Sequence, residues 1–124
     1  MSVKGCGVDL IEVSRIRRAL QRQGFRDRIY TDHERKDLQD KGVQSWAARF
    51  AAKEAVMKAV GRGWQQGVPF GSIEIYTNAW GQPQVRLLQP SWELAESLGI
   101  TGFVLSLSHT KEFAVAYVIA LGEE

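Results

Sequence analysis

The stretch Trp46–Trp64, WAARFAAKEAVMKAVGRGW, constrains the fold most. Alanine, methionine and lysine favour helix, and no proline interrupts the run. At about 100° per residue, Trp46, Phe50, Met57 and Val60 gather on one face, while Ala48, Ala51, Ala55 and Ala59 lie mostly on the other. A helix with one bulky and one small-residue face is buried on two sides, with a second backbone close against its alanines. Ser45 is the expected N-cap. Gly61 and Gly63 stop the helix and leave backbone free to approach a ligand.

The charges on this helix have two readings. Glu54 and Lys58 stand at i and i+4, near the seam between the two faces, and Arg49 and Lys53 repeat that spacing on the other border. They are either a surface ion pair with two basic chains snorkelling to water, or a metal-binding carboxylate beside cations that hold phosphate. Gly61-Arg62-Gly63 is not a Walker loop, because the GxxxxGK[ST] spacing is missing.

Ahead of the helix, Val3–Asp9 reads as a short buried strand in which Gly5 and Gly7 mark a close approach and Cys6 packs into the core. Asp9, at the strand end, is either the N-cap of the next helix or a magnesium ligand projecting into a cleft. Ser14–Gln23 continues helically, with Val13, Ile16 and Leu20 as its apolar stripe. Arg15, Arg18 and Arg22 form a basic stripe on another face. That stripe is a solvated face or a docking surface for an acidic protein. With no aromatics interleaved, it does not favour single-stranded nucleic acid. Gly24 breaks the helix, Phe25–Tyr30 makes a short amphipathic turn or helix, and Thr31 or Asp32 caps a helix running toward Gly42. His33 lies in an exposed polar setting.

Beyond Gly63 the period changes to two. Ser72–Thr77 and Gln84–Leu88 read as strands joined through Asn78-Ala-Trp-Gly-Gln-Pro, and Trp92–Leu98 as a short helix closed by Gly99. Phe103–Thr110 and Phe113–Leu121 are strands around a turn at Lys111-Glu112. The predicted fold is α+β, with helices packed on one side of a largely antiparallel sheet. His109 ends its strand on the apolar face, either as a structural residue or, with Ser108, Thr110 and Lys111, as part of a phosphate-binding strand end. Ser108 and His109 point to opposite faces and make no Ser-His-Asp triad.

At 124 residues the chain predicts one domain, 1–124, with a modest core. Its net charge of +2 is too small to argue for nucleic acid, and no nucleic-acid partner is expected. One cysteine and no membrane-length apolar run suit a soluble protein of the reducing cytoplasm, without a membrane partner.

Taken together, the motifs resemble the holo-acyl-carrier-protein synthases, the small bacterial type of phosphopantetheinyl transferase. The matching residues are Gly7-Val8-Asp9 to Arg15, the Arg49–Ala55 run Arg-Phe-Ala-Ala-Lys-Glu-Ala followed by Lys58, Gly61 and Gly63, then Gly81-Gln82-Pro83, and Ser108-His109-Thr110. They occur in the family order across nearly the whole chain. Trp80 departs from the more polar residues usual at its position.

The resemblance implies transfer of the 4′-phosphopantetheine arm of coenzyme A to a serine of apo-acyl carrier protein, releasing adenosine 3′,5′-bisphosphate. It implies catalytic roles for Asp9, Glu54 and Lys58, with Asp9 and Glu54 binding Mg2+ at the pyrophosphate and Lys58 beside the same phosphates. Arg49 and His109 would lie near the adenosine 3′-phosphate, with Gly61, Gly63, Ser108 and Thr110 lining the coenzyme A site. Arg15, Arg18 and Arg22 would dock the acidic carrier protein. The serine proton would pass to Glu54, directly or through a water, or to a metal-bound hydroxide. The resemblance also implies a homotrimer with active sites shared between chains. Two other functions fit parts of the pattern: a non-enzymatic docking module, and a phosphohydrolase using the same carboxylates with water.

Overall fold

The computed structural model describes residues 1–124. In chain order it contains β1 (Ser2–Glu12), α1 (Val13–Ala19), α2 (Phe25–Ile29), α3 (Asp32–Leu38), α4 (Val43–Val60), β2 (Ile73–Thr77), β3 (Pro83–Leu87), α5 (Ser91–Ser97), β4 (Ile100–His109) and β5 (Phe113–Gly122). Strands β1, β5 and β4 form an antiparallel sheet in that order, and β2–β3 form a separate antiparallel hairpin. The fold is α+β, as the periodicities predict.

Helix α4 is the centre of the core. Trp46, Met57 and Val60 are buried on its bulky side, and Ala48, Ala51, Ala55 and Ala59 on its small side. The alanines permit the close approach inferred from sequence, and the glycines of β1 complete it. A Cβ at Gly5 would lie 2.1 Å from the Ala59 carbonyl oxygen, and one at Gly7 would lie 2.1 Å from that of Ala55. The helix begins three residues earlier than Trp46, with Gly42 rather than Ser45 at its N-cap, and stops at Gly61, whose φ is +84°. Thr31 caps α3 in a reciprocal box with Glu34.

The opening strand differs from expectation. It runs to Glu12, and α1 starts only at Val13, so Asp9 is not a helix cap but a mid-strand residue paired with Ala116. Nor is β1 buried on both faces: Cys6, Val3, Val8 and Leu10 are exposed, because α4 covers only one face of the antiparallel sheet. Phe113, Tyr117 and Val104 extend this open face onto β5 and β4. No helix is long and apolar enough to cross a membrane.

Candidate active site

The inward face of β1 carries Gly5, Gly7 and then Asp9, so the contact that seats α4 on the glycines also brings Asp9 to Glu54 and Lys58. Lys58 Nζ donates to the Val8 carbonyl at 2.8 Å and lies 3.4 Å from Asp9 Oδ1. The i, i+4 ion pair with Glu54 does not form, because the strand supplies a nearer carboxylate. Burial pushes the Asp9 carboxyl above its ordinary 3.8, against the pull of Lys58 and Arg15. Burial likewise raises Glu54 above 4.5; the Asp9 charge adds to this, while Lys58 and Arg15 oppose it. Two half-buried carboxylates that repel each other are a place for a cation. No cluster of three or more His, Cys, Asp or Glu side chains accompanies them. Asp9 and Glu54 are the residues that could hold a cation such as Mg2+, which takes one or two carboxylates and fills its remaining positions with water and substrate phosphate. Glu54 also lines a cavity of about 590 Å3, walled by Phe25, Phe50, Trp64 and Phe70.

Arg49 and His109 meet in a different cavity, of about 390 Å3, with Asp37, Lys41, Ser45, Thr77 and Gly81. Arg49 does not snorkel to water. It is 7% exposed, its Nη2 lies 3.3 Å from Asp37 Oδ2, and its Nη1 is buried with no hydrogen-bond partner. A buried, unpaired guanidinium nitrogen is costly unless an anion completes it.

The two clusters lie on either side of α4. Five residues of helix separate Arg49 from Glu54, which is about 7.5 Å along the axis and about 140° around it. Asp9 and Leu107 flank Ala116 from opposite strands, so β1 and β4 are about 10 Å apart there. His109 lies beyond Leu107.

Arg15, Arg18 and Arg22 are exposed around one shallow hollow at the end of α1, and Arg15 is the member whose charge reaches Asp9 and Glu54. Ser108 is exposed on the outward sheet face. The Thr110 hydroxyl accepts from the Phe113 and Glu112 N–H groups in the β4–β5 turn. Gly61 caps α4, and the Gly63 N–H donates to Gln66 Oε1 at 2.9 Å. His33 is exposed, as expected.

Sequence reasoning missed the support beneath the site. Lys53 is not at the surface but fully buried, 2.6 Å from Glu34 and bonded to the Phe70 and Ile73 carbonyls. Burial pushes its pKa down, and Glu34 pulls it back up. Glu34 also accepts from the Thr31 and Ile75 N–H groups. The signal was on the helical wheel: at about 100° per residue Lys53 falls between Val60 and Trp46, inside the bulky face, which points to burial but not to Glu34.

A family model described as the 4′-phosphopantetheinyl transferase superfamily matches residues 5–118. The chain belongs to that superfamily. The transferase is 45% identical over 123 residues to a holo-[acyl-carrier-protein] synthase of Ruminiclostridium cellulolyticum, covering 94% of this chain and 92% of the relative. Its fold is similar to that of a Bacillus anthracis holo-(acyl-carrier-protein) synthase in complex with CoA (3′,5′-ADP), with a TM-score of 0.79, 36% identity and 98% of each chain covered. It is also similar to the Helicobacter pylori enzyme in complex with coenzyme A, with a TM-score of 0.84, 29% identity and coverage of 94% of this transferase and 99% of that chain.

Proposed function

We propose that this transferase, as one domain spanning 1–124, moves the 4′-phosphopantetheine group of coenzyme A onto a serine of apo-acyl carrier protein and releases adenosine 3′,5′-bisphosphate. The observation that carries this reading is the desolvated Asp9–Glu54 pair beside Lys58 and Arg15, on a chain of this superfamily. Asp9 and Glu54 would hold Mg2+. When bound, the ion neutralises the donor's pyrophosphate and favours departure of the bisphosphate. Lys58 Nζ would bind the same phosphates as a point charge. Glu54, with its raised pKa, is the chain's own group for taking the proton from the carrier serine Oγ, directly or through a water. The Arg49 guanidinium and His109 would take the 3′-phosphate, Gly61, Gly63, Ser108 and Thr110 would line the donor, and Arg15, Arg18 and Arg22 would orient the acidic carrier protein.

The assembly in this reading is a homotrimer with shared sites. Two observations support it. The open sheet face of Val3, Val8, Leu10, Val104, Phe113 and Tyr117 is apolar and exposed. The carboxylate and arginine clusters also sit on opposite sides of α4, where one donor molecule reaches both more readily across two chains than around one helix. The cytosol is the proposed location, where the exposed Cys6 stays reduced.

The test is mass spectrometry of apo-acyl carrier protein incubated with the transferase, coenzyme A and magnesium, with an EDTA control. A metal-dependent gain of one phosphopantetheine, lost when the carrier serine is replaced by alanine, is the expected result. No gain on a competent carrier, with coenzyme A intact, would refute the proposed reaction for that carrier, and cleavage of coenzyme A without carrier would favour a hydrolase.

A further inference from the structure

The hairpin β2–β3 ends in a side chain that the proposed reaction leaves unused. Trp80, at its tip, is 87% exposed, more than any other large apolar residue of the chain. Its turn is held firmly: Asn78 Oδ1 accepts from the Trp80 N–H at 2.9 Å and from the Gln82 N–H at 3.0 Å, and Asn78 Nδ2 donates to Gln82 Oε1 at 3.0 Å. The Gly81 N–H donates back to the Asn78 carbonyl at 3.0 Å, and Gly81 has φ +80°. Thr77, before the turn, and Gly81, directly after Trp80, both line the cavity of Arg49, Lys41 and His109. An ordered turn thus carries an exposed indole on the residue adjoining Gly81, which lines an anion-seeking cavity. The buried, unpartnered Nη1 of Arg49 is the independent sign that this cavity takes a ligand.

A cationic pocket next to a free aromatic face is chemistry suited to a phosphorylated heterocycle, with phosphate on the guanidinium and the base against the ring. We propose that Trp80 is the stacking platform for the nucleobase of the donor, and so a determinant of donor specificity. The proposal rests on the reading that the Arg49–His109 cavity receives the nucleotide 3′-phosphate. Trp80 makes no step of the reaction; it selects donors that carry a base over those that carry only phosphate and pantetheine.

The experiment is calorimetric titration of the full chain with adenosine 3′,5′-bisphosphate and with ribose 3,5-bisphosphate, which keeps the phosphates and lacks the base. It compares wild type, Trp80→Ala, Trp80→Phe and Arg49→Met. Trp80→Ala should weaken the adenosine ligand by about 5- to 150-fold, the range for losing one base–aromatic stack. Trp80→Phe should keep most of the affinity, and neither Trp80 variant should alter binding of the abasic ligand. Arg49→Met should weaken both ligands. If Trp80→Ala stays within about two-fold of wild type on the adenosine ligand while Arg49→Met loses it, stacking is refuted and the phosphate site stands. If wild type binds neither ligand, the cavity reading falls and the proposal falls with it. An equal loss of both ligands in Trp80→Ala, or a change in its oligomeric state by sedimentation, would make Trp80 a structural or subunit contact and overturn the proposal.

Discussion

Gly7→Ala should cost the protein both stability and activity, because the glycine is where the strand that carries Asp9 rests on the helix that carries Glu54. A Cβ at residue 7 would sit 2.1 Å from the Ala55 carbonyl oxygen, 2.8 Å from Lys58 Cβ and 2.9 Å from the Ala59 nitrogen, whereas ordinary contact begins at 3.4 Å. Two of the three obstacles are backbone, so no rotamer change relieves them, and the strand must retreat by more than an ångström. Overpacking of this kind costs about 1–3 kcal/mol, and a backbone clash belongs at the upper end. For a chain of this size, about 3 kcal/mol lowers Tm by roughly 10–15 °C. The same retreat moves Asp9, two residues along on the same face, away from Glu54 and Lys58. Misplacement of a reacting group by about 1 Å can cost roughly 10²-fold in rate. Circular dichroism melts and the phosphopantetheine-transfer assay measure the two effects. Gly102→Ala is the control, because nothing lies within 4 Å of a Cβ there, and it should stay within about 0.5 kcal/mol of wild type. A Gly7→Ala protein with wild-type Tm and wild-type transfer would refute the placement of β1 on α4.

Glu54→Gln should abolish transfer with the fold intact, checked by the same assay and melts. Raised carboxylate pKa values mean that the folded state holds protons more tightly than the unfolded chain. The stability contributed by Asp9 and Glu54 is therefore present below their ordinary 3.8 and 4.5 and is lost as pH rises through their raised values. Urea unfolding of the metal-free protein should show this loss in wild type and a flatter profile over the same window in Glu54→Gln. Lys53→Met should destabilise by about 3–5 kcal/mol, because it strands the Glu34 carboxylate in the core, and urea midpoints would register it. Arg15→Glu should raise KM for the carrier protein more than for coenzyme A; an equal rise in both would remove Arg15 from docking. Glu54→Gln and Arg49→Met, each inactive alone, should recover about a quarter of wild-type activity when co-assembled one to one, if each site of a trimer draws these residues from different chains. No recovery in confirmed mixed trimers would place both residues of a site on one chain.

Much of the frame is local and was therefore readable from the sequence. The two faces of α4, the glycine stop at Gly61, a helix cap at Thr31 or Asp32, the hairpin strands and the α+β class follow from period, propensity and turn chemistry, which depend on neighbours in the chain. Even the close approach at Gly5 and Gly7 was legible, because a residue without a Cβ on one element and alanines on another state the same distance twice. What the tertiary structure alone decided is the partner of each charge. Spacing offered Glu54 to Lys58, yet the lysine goes to Asp9. The 100° wheel sets Lys53 between Val60 and Trp46, inside the bulky face rather than at its border, but only the structure supplies its partner, Glu34 from another helix. Arg49 keeps one nitrogen unpaired inside a cavity whose walls come from α3, α4, β2, β4 and the β2–β3 turn. A charged side chain is satisfied by whatever the packing brings within about 3–4 Å, and that is a property of elements far apart in sequence rather than of the segment that carries the charge.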